Sequence, residues 1–148
     1  MRIIVTLLMA LASLSALADD SVKTRAGELK AAGELNAPKL TLNGKVLFEG
    51  KESFGYSFQE WAKFKFVTKD ADVILVADSV SATCTSWFFV TIPTPPAKPT
   101  KTDSFGMICG EGGPTITQKG NVLVIKTTDD NGKPRTLHYE NGKVGWII

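Results

Sequence analysis

From Lys39 onward, apolar residues alternate with polar ones over short runs that end in Gly, Pro or Asn-Gly, a period of two that predicts strands and turns. Asn-Gly stands at 43–44, 131–132 and 141–142, each time followed by Lys. The dipeptide favours tight hairpins because both residues tolerate positive φ. Residues 40–42 and 46–48 therefore flank a first hairpin, and 60–68 reads as another strand in which Ala62, Phe64 and Phe66 alternate with Trp61, Lys63 and Lys65. Residues 73–77 (VILVA) and 87–92 (WFFVTI) are apolar at both parities. That predicts central strands covered on two sides or facing a protein partner.

The C-terminal third permits a register argument. A two-residue turn at Asn141-Gly142 sets Glu140 against Lys143, Tyr139 against Val144 and Leu137 against Trp146, so that one face is apolar and His138 lies on the other. A three-residue loop closed by Gly132 in the left-handed region sets Ile125 against Leu137 and Leu123 against Tyr139. A two-residue turn there would mix the faces. With Lys119-Gly120 as the preceding turn, Ile116 lies across from Leu123. The pattern predicts a four-stranded meander over 115–118, 121–128, 134–140 and 143–148, with Ile116, Leu123, Ile125, Leu137, Tyr139, Val144 and Trp146 on its core face.

Two stretches read differently. In 19–38, Val22, Ala26, Leu29 and Ala32 or Gly33 fall about a turn apart before Pro38, which predicts a short helix or a leader. Residues 93–102 (PTPPAKPTKT) are extended and polyproline-like. They predict a crossover between two sheets, or an exposed contact loop through Pro95, Pro96 and Lys98. The whole is expected to be all-β, an antiparallel sandwich or barrel of eight or nine short strands forming one domain over 39–148.

Composition agrees with a folded chain: 43% of the residues are hydrophobic and 22% charged, unlike a disordered or collagen-like polymer. Residues 1–18 carry Arg2, an apolar run and Ala16-Leu17-Ala18, the pattern of a cleaved signal peptide. The expected location is the periplasm or the exterior, without stable membrane insertion. Net charge is +2, and +1 without Arg2, too small a basic field to hold nucleic acid. In an oxidising space the only two cysteines, Cys84 and Cys109, are expected to pair. Their bridge closes a loop of about 26 residues and stabilises the fold by roughly 3–4 kcal/mol in the chain-entropy model.

Catalytic chemistry finds little footing. His138 is the only histidine, and no serine sits in a G-x-S-x-G turn to pair with it. Asp129 and Asp130 are adjacent but precede a turn, which accounts for them better than a two-carboxylate glycosidase site does. Gly110-Glu111-Gly112-Gly113 lacks the Lys-Ser/Thr ending of a phosphate loop and reads as a flexible turn. Neither calcium-loop nor zinc spacing occurs, so no metal and no cofactor is implied. The cluster Phe54, Tyr56, Phe58, Trp61, Phe64 and Phe66, with Lys63 and Lys65, is either core or a stacking platform.

Segments DVILVADSVSATCTSWFFVTI, TDSFGMICGEG, ITQKGNVLVIKTT and LHYENGKV, carried by Phe89-Val90, Phe105-Gly106 and the two cysteines, resemble a group of small exported bacterial proteins. The resemblance implies export and a β-rich fold and carries no activity. The proline-rich insertion departs from that pattern. The expectation is a non-enzymatic module that grips a protein or a cell-wall glycan, for instance as an inhibitor or immunity protein. Tyr56, Trp61, Lys63, Lys65, Pro95, Pro96, Lys98 and Trp146 are its candidate contact surface. An envelope hydrolase using scattered carboxylates, and a structural component assembling edge to edge as a homodimer, are the alternatives.

Overall fold

The computed structural model describes residues 20–51, 53–58 and 65–147; the leader at 1–18 lies outside them. Among the described residues there are fourteen strands and no helix. Strands β1 (Ser21–Thr24), β2 (Gly27–Glu34), β3 (Ala37–Leu42) and β4 (Lys45–Glu49) form one sheet in chain order. A second sheet runs β10 (Phe105–Cys109), β8 (Cys84–Pro93), β7 (Ala71–Ser79), β5 (Gly55–Ser57). In it β6 (Lys65–Val67) also pairs with β7, and β9 (Thr100–Lys101) with β8. The third is the meander β11 (Thr115–Lys119), β12 (Val122–Thr128), β13 (Pro134–Glu140), β14 (Lys143–Trp146). Every pairing is antiparallel, and the sheets stack as a sandwich, not a closed barrel.

The doubly apolar runs explain the stacking. In β7 and β8, Val73, Leu75, Ala77, Trp87 and Phe89 join Leu123, Ile125, Leu137 and Tyr139 of the meander in one core. The opposite parity, Ile74, Val76, Phe88, Val90 and Ile92, packs with Leu29 and Leu40 of the first sheet and with Phe58 in another. Strand side chains alternate, so two strands buried on both faces need a layer above and a layer below. Each fully buried Leu, Ile or Phe contributes about 1.5–3 kcal/mol of transfer free energy. A polar clamp fixes the first layer to the middle one. Asp72, whose side chain is 1% exposed, accepts bonds from Arg25 Nε (2.9 Å) and Arg25 N (2.8 Å). The guanidinium also donates to the Thr68 and Lys69 carbonyls.

The predicted meander is present, with Leu137 opposite Trp146, Tyr139 opposite Val144, Ile125 opposite Leu137 and Leu123 opposite Tyr139. The first turn differs. Lys119 pairs with Val122, so Gly120-Asn121 is the turn and Ile116 faces Ile125, not Leu123. Gly120 at φ +60° followed by a residue without positive φ is the type II′ pattern, which wants glycine first. The shift of two residues leaves Ile116 on its face.

Two expectations are corrected. Residues 19–38 are neither helix nor leader where described: β1 and β2 form a hairpin that places Leu29 between Val22 and Leu42, and this burial outweighs the weak helical spacing. The proline-rich stretch is no crossover between sheets but the end of a hairpin within one, since β9 returns along β8 with Thr100 opposite Thr91. These two segments supply three of the strands beyond the eight or nine expected, β1, β2 and β9. Within the aromatic cluster, Phe58 and Phe66 enter opposite cores, so no single platform forms from them; Trp61, Lys63 and Phe64 lie outside the described residues.

Cys84 and Cys109 form the expected disulfide, directly opposite each other on β8 and β10. Replacing both with serine should lower the stability by about 3 kcal/mol. Urea unfolding of oxidised wild type against the double variant measures the difference; equal midpoints would exclude a stabilising bridge.

Candidate functional site

At the C-terminal hairpin, Asn141 (φ 50°) and Gly142 (φ 80°) make the type I′ turn that suits twisted antiparallel strands. Beyond β14, Ile147 N donates to Thr136 O (3.2 Å), which marks 136/147 as a hydrogen-bonded pair. Such pairs alternate with unbonded ones in an antiparallel ladder, so 138/145 and 140/143 are bonded too. The peptide groups of Val144 and Trp146 consequently point away from β13. Among the described residues no strand lies beyond β14.

The same two residues place their side chains on the inner face, beside a groove of about 300 Å³ between this hairpin and the start of β10. Phe105, Met107, Leu137, Val144 and Trp146 supply its apolar wall, while Asp103, Asp129 and Asp130 stand on its rim. Trp146, expected on the core face, is on that face yet 59% exposed. Its partner Leu137 is buried. Arg135 lies 5.5 Å from the indole centroid and also bonds Asp129 through Nε (2.9 Å) and a terminal nitrogen (2.8 Å). Thus one indole face is occupied by a cation whose charge is already paired.

Asp129 is a turn residue, as its place in the sequence suggested. Its Oδ1 accepts from the backbone N–H groups of Lys133 (2.9 Å) and Asn131 (3.0 Å). The Lys133 bond, foremost, holds this carboxyl below the ordinary aspartate range; desolvation opposes it, and Arg135 and Asn131 assist. Asp103 and Asp130 are exposed. Neither Asp103 nor the Phe105-Gly106 bulge is a functional signal in the sequence. The bulge is a register shift between Phe105 and Ile108, at which Gly106 takes φ +64° and an added Cβ would collide with Thr127 Oγ1.

Of the other expected contact residues, Tyr56, Lys65, Pro95, Pro96 and Lys98 do not gather here, and Trp61 and Lys63 lie outside the described residues. Tyr56 packs edge-on against Phe88 (5.3 Å) in the opposite core. Burial first, and then Asp78, push its phenol above the ordinary tyrosine range. Lys65 Nζ donates to the Lys23 carbonyl (3.0 Å). Pro95, Pro96 and Lys98 are exposed at the β8–β9 hairpin end. His138 lies on the outer face of the meander against Gly145, away from Leu137 and Tyr139. Among the described residues no three His, Cys, Asp or Glu side chains converge as a metal set.

A second opening of about 570 Å³ lies between the central sheet and the turns of the meander. Gln118, Asn121 and Asn141 line it with amides and Thr68, Thr91 and Thr100 with hydroxyls, above a Thr91 Oγ1 to Tyr139 OH bond of 2.9 Å.

Compared with known proteins, the chain matches no family model, no curated protein and no solved structure.

A depressed carboxyl stabilises the fold above its unfolded value, and that contribution is lost as pH falls through the folded one. Asp129→Asn should therefore flatten the loss of stability below about pH 4, where an ordinary aspartate protonates. Urea midpoints measured down an acid series check this; parallel curves would show that Asp129 contributes nothing to the pH dependence.

Proposed function

We propose that this protein is an exported, non-catalytic binding module that takes an extended segment of a protein partner as an added strand along β14. One observation carries the reading: Val144 and Trp146 direct backbone donors and acceptors outward while their side chains wall a groove on the inner face. Strand addition draws affinity from main-chain hydrogen bonds and specificity from pockets for alternate side chains. An exposed edge invites pairing, and the four residues of β14 include no proline. The signal-like leader and the disulfide support export, and the outward placement of His138 supports a role without turnover.

A cell-wall glycan is a second reading, favoured by the amide- and hydroxyl-lined opening near Tyr139, whose volume suits a small ligand.

Immobilised protein exposed to periplasmic extract should retain a partner stoichiometrically. Trp146→Lys should weaken capture at least tenfold through the groove, and Val144→Pro likewise, because it deletes an outward N–H without removing a β13–β14 hydrogen bond. Circular dichroism establishes that both variants are folded. Capture undiminished in both variants would place the partner elsewhere; capture lost on changing Gln118 and Asn121 would favour the glycan.

A further inference from the structure

We infer that the segment received by β14 is basic, with Lys or Arg at alternate positions. This rests on the strand-addition reading and adds the chemistry of the partner. Residues of an added strand alternate between faces at about 3.3 Å per residue. Every second side chain of the guest therefore falls on the face of Val144 and Trp146, beside the groove. Three carboxylates line it there, Asp103, Asp129 and Asp130, and among the described residues only Asp129 is matched by a groove-side cation, Arg135. Asp130 accepts from the neutral amide of Asn131 (3.1 Å), which brings no countercharge. The walls of Phe105, Met107 and Trp146 suit the long apolar stem of Lys or Arg, whose charged end then reaches the rim. An acidic guest would bring like charges together on the same rim, and a purely apolar one would leave the exposed acids unanswered.

The test uses capped eight-residue peptides in which threonine alternates with lysine, glutamine or glutamate. Chemical shifts of Val144 and Trp146 give the affinity, and amide exchange reports whether their N–H groups become protected. The lysine peptide is expected to bind about fivefold more tightly than the glutamine peptide, the worth of two exposed ion pairs, and the glutamate peptide most weakly. The preference should vanish in 1 M salt, where screening acts within about 3 Å. It should also vanish in Asp103→Asn/Asp130→Asn, which touches no ladder. Equal binding of the lysine and glutamine peptides, with β14 protected, overturns the basic guest and leaves strand addition standing. Protection by none of the three overturns both. Protection that grows with protein concentration in the absence of peptide assigns the edge to a second copy and overturns the basic guest.

Discussion

Burial of β7 and β8 on both faces is the constraint from which the rest of the architecture follows. Two neighbouring strands with unbroken apolar runs, Val73 to Ala77 and Trp87 to Val90, cannot lie at a surface, and a single covering sheet would leave half of those side chains in water. The chain answers with one sheet before them and one after, each contributing its own row of leucines or isoleucines. Polar residues within the central pair are accommodated individually. Asp72 is neutralised by Arg25, and Thr91 reaches the hydroxyl of Tyr139. A buried carboxylate without such a partner would be costly, so the turn bearing Arg25 is held where Asp72 requires it.

That constraint also decides where the molecule is open. The meander's inner face is covered over β12 and β13, and cover thins at β14, where Val144 is half-buried and Trp146 is mostly exposed. An indole left at the margin of a core, beside an edge whose peptide groups point outward, is the arrangement on which the proposed strand addition rests. The disulfide lies at the far end of β10 from the Phe105 side of the groove and joins β10 to β8, whose neighbours bury Phe105. It thereby steadies one wall of the opening.

Legibility in the sequence followed the strength of local rules. The Asn-Gly turns and the alternation of Leu123, Ile125, Leu137 and Tyr139 specify the meander register because a slip by one residue would expose all four. By contrast, Val22, Ala26 and Leu29 satisfy a helical spacing as well as a hairpin. Only their burial against Leu40 and Ile74 decides, and that is a tertiary fact. The proline-rich hairpin end was hidden for a similar reason: proline excludes central strands but is silent on whether the chain returns to the same sheet. Of the site, Trp146 and its edge were visible. The grouping of the acids was not, since Asp103 and Asp129 are far apart in the chain and line one groove only in the folded molecule.

The clean division of the hydrophobic residues between two cores has an evolutionary corollary. Side chains beneath the N-terminal layer and those beneath the meander answer to different neighbours, although they alternate along the same two strands. Mutational drift in one compartment is thereby insulated from the other. A lineage is free to remodel the N-terminal layer, its loops and its surface while the β14 edge at the opposite side keeps its shape.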